Sequence, residues 1–439
     1  MNRIVRAFLG AALGASAIFA SAAPVQHYER RGHASESSRV IVEFHGTARA
    51  ESRANAAAAA AHEQLFARFR ADLGAGNGRV QSTASTPHIA HEYRAVFLGA
   101  AVDADAAAVT RIRALPYVRA VHEDRIMRAT AVPASAPLAT VVDARTKVNA
   151  SSLGTGGAGI VVAVVDTGID YSHPSLGGGM GAGFKVAGGR DFINNDDDPM
   201  DDNGHGTHVA ATIAGSAPDL IGVAPEVTLI GYKVLGADGS GPTSGIIAAI
   251  ERCADPNGDG NFSDHVAVAN LSLGGPGDAE DIASRAVDNA VAAGVVMVVA
   301  AGNDGTTASI GSPGTATDAL TVAAIDDDGR VTDFSSRGPA PRLLGFKPDV
   351  SAPGYQIVSA RLGGGTIALN GTSMATPHVA GVAALLRKLH PAWTPADVKA
   401  AITSSATAVA AVPFARGAGR VDARAAHEST LLVGSSGLS

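Results

Sequence analysis

The chain has 439 residues, 46% apolar and 17% charged, and 41 acids against 34 lysines and arginines give it a net charge of −7. That composition excludes a disordered or fibrous chain, and an acidity so mild excludes nucleic acid as a partner. Cys253 is the single cysteine, so no intramolecular disulfide can form and stability must come from core size, metal or slow unfolding.

Residues 1–23 read as a signal peptide. Arg3 and Arg6 precede a small apolar run over 7–20, and Ala20-Ser21-Ala22-Ala23 offers cleavage after Ala22 or Ala23. The run falls short of the roughly 20 residues of a bilayer span, so export to a periplasm or the medium is expected, with no membrane anchor. Residues 24–128 then carry their own pattern. A strand is expected at 39–44, a helix at 54–73 with Leu65, Phe66 and Phe69 at helical spacing, and a short strand between 85 and 93. A strand at 95–98, a helix at 103–115 stopped by Pro116, and a strand at 118–121 follow. This order suits a small α+β, ferredoxin-like sandwich. Residues 129–139, rich in Ala, Pro and Ser, read as a linker.

The larger region, 140–426, alternates Val/Ile/Ala runs at 160–165, 228–233, 266–271, 295–301 and 320–324 with helices at 206–214, 243–253, 279–293 and 373–389. Strands apolar on both faces belong to a covered parallel sheet. The expected fold is a doubly wound α/β domain, followed by a polar tail at 427–439.

In such a sheet, reactive groups belong at the carboxyl ends of strands and the starts of helices. Asp166 follows one apolar strand, and His205 opens a helix in Gly204-His205-Gly206-Thr207-His208. Asn303 ends Ala300-Ala301-Gly302-Asn303, and Ser373 lies at the helix start Gly371-Thr372-Ser373-Met374-Ala375. A serine hydroxyl becomes a nucleophile when an imidazole takes its proton. The imidazole in turn needs a buried carboxylate to fix its tautomer. The Ser373 N–H and the Asn303 amide are candidate donors to the oxyanion that forms.

These motifs, in the order Asp, His, Ser, resemble the subtilisin-like (subtilase) serine endopeptidases. The resemblance runs from about 155 to 404 and includes Lys347-Pro348-Asp349-Val350 and Ser351-Ala352-Pro353-Gly354. It implies an Asp166-His205-Ser373 triad and acyl-enzyme chemistry without a cofactor. It also makes residues 24–128 an inhibitory prodomain, with self-cleavage in the linker. Protein and peptide substrates would lie between Gly239-Ser240-Gly241 and Ser272-Leu273-Gly274. Leu273 and Ala300, Ala301 and Gly302 would line the primary pocket, with Asp304 at its rim. A monomer is expected.

Asp255, Asn257, Asp259 and Asn261 alternate like calcium ligands, with Asp264 to close the loop; a solvated acidic turn is the competing reading. Asp196, Asp197, Asp198, Asp201 and Asp202 read as a surface loop. Ser175 stands where many subtilases carry an acidic calcium ligand. His205 and His208, one helical turn apart, lack the third ligand of a zinc site. The alternative from another class is an inactive subtilase-like binding protein, although all four polar residues of the site are present. Seven of the 14 histidines (His27, His33, His45, His62, His88, His91 and His122) fall in 24–128, and acid could loosen an inhibitor so built.

Overall fold

The computed structural model describes residues 38–48, 56–75, 86–129, 131–134, 142–342 and 345–430. The expected signal peptide and residues 431–439 of the tail lie outside the described residues.

The first region contains β1 (Ser38–Phe44), α1 (Ala56–Ala75), β2 (His88–Tyr93), β3 (Gly99–Ala104), α2 (Ala106–Arg113) and β4 (Val118–Glu123). The four strands form an antiparallel sheet in the order β2-β3-β1-β4. Phe44 of β1 meets Phe66 and Phe69 of α1 edge to face, with ring centroids 5.4 and 4.9 Å apart. Asp105 caps α2 by accepting from the Ala108 N–H. One expectation fails here: 95–98 is a buried loop and the strand begins at Gly99. Its backbone bonds to the other region instead, as Ala95 and Val96 donate to Glu251 and the Val96 carbonyl accepts from Asn289. An apolar run buried by helices cannot be told from a sheet strand by composition alone.

The expected linker, 129–139, begins at the last residue of β5 (Ile126–Ala129) and contains β6 (Val132–Pro133), each paired with distant parts of the chain.

The second region continues with β7 (Val142–Asp143), α3 (Ala144–Lys147), β8 (Val161–Asp166), β9 (Val186–Asp191), α4 (His205–Ala214), β10 (Ser216–Ala217), β11 (Leu220–Ile221) and β12 (Thr228–Lys233). Next come β13 (Ser240–Pro242), α5 (Thr243–Ala254), β14 (Val268–Leu271), β15 (Leu273–Gly274), α6 (Ile282–Ala293), β16 (Val296–Ala300) and β17 (Leu320–Ile325). The described chain closes with β18 (Val350–Pro353), β19 (Ile357–Ala360), β20 (Thr366–Asn370), α7 (Thr372–Leu389), α8 (Pro395–Ser404), α9 (Pro413–Arg416) and α10 (Ala423–His427).

The central sheet is parallel and seven-stranded, in the order β18-β17-β16-β14-β8-β12-β9. Alternate residues of each strand face opposite cores. Val162 and Val164 pack with Val209 of α4 and Val379 of α7, whereas Ala163 and Val165 pack with Ile246 of α5 and Ala286 of α6. The doubly wound expectation therefore holds. Both edge strands escaped the sequence reading: β9 reads Val-Ala-Gly-Gly-Arg-Asp and β18 ends in proline, and neither has a continuous apolar run.

Candidate active site

The adjacent strands β16, β14 and β8 deliver Asn303, Ser272 and Asp166 just past, or at, their carboxyl ends. Asp166 is fully buried; its Oδ1 accepts the Thr167 N–H at 2.8 Å and lies 2.7 Å from His205 Nδ1. His205 can come this close because two glycines flank it. Gly204 adopts a left-handed φ of 103° before the helix. A side chain at Gly206 would put its Cβ 2.1 Å from the Gly168 carbonyl oxygen.

Burial alone would lower the His205 pKa, but the charge and hydrogen bond of Asp166, aided by Asp201, raise it above its ordinary value. With Nδ1 committed to Asp166, Nε2 is the nitrogen left to act as a base. It is buried and has no hydrogen-bond partner among the described residues. Ser373 lies in the first turn of α7, and its Oγ donates to the Ser272 carbonyl at 3.0 Å. Ser272 Oγ donates back to the Ser373 carbonyl at 2.9 Å. The Asp166–His205 half of the arrangement is thus closed and the Ser373–His205 hydrogen bond is not made. Such bonds often tighten only around a reacting substrate.

Asn303 is anchored through its side-chain oxygen. Its Oδ1 accepts the Thr372 N–H at 2.9 Å and the Thr372 hydroxyl at 3.0 Å. Since Oδ1 faces Thr372, the Nδ2 hydrogens are directed away from it. The sequence offered Ser272 only as part of a substrate-binding edge and Thr372 only as part of the Ser373 motif, and neither signal announced these bonds to Ser373 and Asn303.

The chain's own backbone lies across this site. In a three-stranded sheet β5 sits between β13 and β15, antiparallel to both. Met127 pairs with Gly241, Arg128 with Ser240 and Gly274, and Ala129 with Leu273. The Ala129 N–H donates to the Gly239 carbonyl at 2.9 Å. Beyond the serine, Val132 pairs with Asn370 and Pro133 with Leu369, and the Ala134 N–H reaches the Ala368 carbonyl at 3.1 Å.

The Met127 side chain is buried in a cluster with Leu235, Ile246 and Leu273. Leu273, expected to line the primary pocket, packs in this cluster. A cavity of about 400 Å³ beside the site is lined by Gly274, Gly275, Ala300, Ala301, Gly302, Asn303 and Asp304, and closed by residues 308–311 and Pro341.

The first region is seated on α5 and α6 by contacts that no motif announced. The half-buried Glu251 carboxylate accepts the Ala95 and Val96 N–H groups, and Tyr93 Oη donates to the Ser244 carbonyl. Arg285 makes a two-pronged ion pair with Glu43, at 2.9 and 3.0 Å. Asp124 accepts from both the N–H and the hydroxyl of Ser244 in the first turn of α5.

Among the described residues, no three His, Cys, Asp or Glu side chains converge to hold a metal. Asp255 accepts the Gly258 and Gly260 N–H groups, Asn257 that of Asp259, Asp259 that of Asn261, and Asn261 that of Ser263. Burial first, then repulsion from Asp259 and Asp264, raises the Asp255 pKa against these hydrogen bonds. His208 Nε2 bonds the Ile357 carbonyl, and Ser175 Oγ bonds His173. The acidic loop divides: Asp196, Asp197, Asp198 and Asp202 are exposed, but Asp201 is buried.

A buried carboxylate–imidazole pair and a helix-start serine at the strand ends of a doubly wound sheet, with an extended strand paired between β13 and β15, are the parts of a peptide-bond hydrolase of the serine type. The subtilase family model matches residues 157–419, and the peptidase inhibitor I9 model matches residues 39–130. The chain belongs to the subtilase family, and it is a serine endopeptidase made as a precursor with its own inhibitor. It is 42% identical to serine protease AprX of Bacillus subtilis (strain 168) over 275 residues, 55% of this chain and 60% of that protein. It is 39% identical to subtilisin E of the same strain over 317 residues, 70% of this chain and 75% of the relative. With Subtilisin Savinase of Lederbergia lenta the identity is 39% over 279 residues, 63% of this chain and 94% of the relative.

Proposed function

We propose that Asp166, His205 and Ser373 form the catalytic triad, and that its first substrate is the chain itself, cut between Thr130 and Ala131. Ser373 Oγ attacks the carbonyl carbon while His205 Nε2 takes its proton. The tetrahedral oxyanion is met by the Ser373 N–H and the Asn303 Nδ2. Collapse breaks the C–N bond as His205 protonates the leaving amine. Water, deprotonated by His205, then attacks the acyl-enzyme and frees Ser373. No cofactor enters these steps.

The observation that carries this reading is the strand β5. Its register runs Arg128 to Gly274 and Ala129 to Leu273. One further step reaches Ser272, whose carbonyl receives the Ser373 hydroxyl. Counting on from Ala129 along the sequence, we assign the cut to the bond after residue 130, with β6 on β20 holding the leaving side. Once the cut first region is released, Gly239, Ser240, Gly241, Ser272 and Gly274 are free to pair with protein and peptide substrates through main-chain bonds. Leu273 and its apolar neighbours receive the side chain that stands where Met127 does. Ala300, Ala301 and Gly302 wall the primary pocket, and Asp304 admits basic as well as apolar side chains there.

The mature enzyme is read as a secreted monomer without a membrane anchor, on the strength of Arg3, Arg6 and the small apolar run that follows. Among the described residues no helix is long and apolar enough to cross a membrane. Calcium at the 255–264 loop is supported by the alternating oxygen donors Asp255, Asn257, Asp259 and Asn261, and backbone carbonyls and water would complete the shell. Adding calcium after chelation should raise the melting temperature; an unchanged Tm refutes the site.

N-terminal mass analysis of the processed enzyme tests the cut. Ala131 as the new first residue supports it, and any other first residue on a Ser373-dependent product overturns the register argument.

A further inference from the structure

We propose that Asp201 is a positioning residue of this reaction, locking the strand end that bears Asp166 to the helix start that bears His205. The inference rests on the triad reading and extends it to a group that touches no substrate.

Asp201 lies in the acidic loop but is turned inward and 4% exposed. Its Oδ1 accepts the Thr167 hydroxyl and the Asn203 and Gly204 N–H groups, each at 2.9 Å. Its Oδ2 accepts the Thr207 N–H at 2.9 Å and the Thr207 hydroxyl at 2.6 Å. Thr167 directly follows Asp166, while Asn203, Gly204 and Thr207 flank His205 on both sides. The two hydroxyls act as acceptors too. Thr167 Oγ1 receives the Gly206 N–H at 2.8 Å, and Thr207 Oγ1 receives the Asp170 N–H at 2.9 Å. One carboxylate thus ties the β8 turn, the loop and the first turn of α4 into a closed brace.

A brace made for stability alone could be built from neutral groups, because burying a charge is costly unless it is fully bonded. Here the charge lies close enough to help His205 hold a proton, which the imidazole does each time the serine attacks. The other charged and titratable groups around His205 have assigned partners. Asp166 faces its Nδ1, and His208 on the same helix bonds the Ile357 carbonyl. The Lys233 ammonium on β12 is turned to Asp202 and to the Thr167 and Leu235 carbonyls.

The test is steady-state kinetics of Asp201→Asn on a peptide substrate across pH, with enzyme expressed as the full precursor and active sites counted by fluorophosphonate labelling. The amide keeps the shape but loses the charge and sets a donor against a donor. Per active site, kcat is expected to fall roughly 10- to 100-fold, as for a small misplacement of catalytic groups, with KM within about twofold. The acid limb of kcat/KM should move to lower pH. Thr167→Val, which keeps the charge but breaks the brace, should lower kcat without moving that limb, and Thr167→Ser should behave as wild type. These threonine variants carry the test should Asp201→Asn fail to fold. Wild-type kcat in both Asp201→Asn and Thr167→Val, or a fall in kcat for Asp201→Asn with the acid limb unmoved, overturns the assignment. Activity that survives Ser373→Ala would instead overturn the triad reading, so the two failures are distinguishable.

Discussion

The Ala129 N–H donates to the Gly239 carbonyl at 2.9 Å, and Ala129 pairs on its other side with Leu273. That double pairing fixes the register of β5 between β13 and β15. Its antiparallel pairing leaves side chains free to vary on either side of a constant backbone.

Met127, 3% exposed, fills the apolar cluster of Leu235, Ile246 and Leu273. Met127→Asp would bury a carboxylate with no partner, at several kcal/mol. Self-processing of the precursor, followed on gels, should slow by at least about tenfold, since each 1.4 kcal/mol in the barrier is a factor of ten. An unchanged time course would show that this side chain does not help to seat the strand.

Asn303 is anchored to Thr372 by its carbonyl oxygen, so its amide nitrogen is turned away from Thr372, and we assign it to the oxyanion. Asn303→Ala should reduce kcat on the order of 100- to 1,000-fold with little change in KM. A loss confined to KM would mean that the amide binds substrate and does not stabilise the oxyanion.

The raised pKa of His205 has a direct kinetic consequence. The base must be neutral, so kcat/KM should rise with pH through a midpoint above the ordinary histidine value of 6.5. It should then stay high in mild alkali. A midpoint below 6.5 would show that burial outweighs Asp166.

His91 on β2 packs against Phe192 of the second region, ring centroids 6.0 Å apart. Burial first, then Arg39 and Arg190 against the opposing Asp103, lowers its pKa from 6.5 to about 4. The docked state thus favours the neutral ring. Its contribution to docking is complete above pH 6.5 and is lost as pH falls from 6.5 towards 4. Glu251 has the opposite sign: burial raises its pKa from 4.5 to about 7, so its contribution is lost as pH rises through 7. Replacing His91 by Phe isolates the first effect. Release of the cleaved first region should accelerate between pH 7.5 and 5.5 by up to about tenfold more in wild type than in His91→Phe. Equal pH ratios in the two proteins would remove His91 as the sensor.

Much of this was legible in the sequence. The strand at 228–233 and the helix starts at His205 and Ser373 were marked by apolar runs meeting Gly-rich polar turns, a pattern set by local sterics and burial. Elements whose partners lie far away were not so marked. Residues 126–133 lack periodicity because two- to four-residue strands draw their pairing from β13, β15 and β20. Residues 95–98 are apolar because α5 and α6 cover them, not because they belong to a sheet. Asp201 looked like its exposed neighbours, and only the fold turns it towards Thr167 and Thr207. Arg285 and Glu43 are 242 positions apart, and neither residue alone signals the pair.

The central claim is that the hydroxyl of Ser373 is the nucleophile and His205 its base. Fluorophosphonate labelling of the processed enzyme, with the modified peptide located by mass spectrometry, tests it most directly. The account predicts a single adduct on Ser373, absent in Ser373→Ala and strongly slowed in His205→Ala. An adduct on another residue, or labelling that persists in Ser373→Ala, would contradict it.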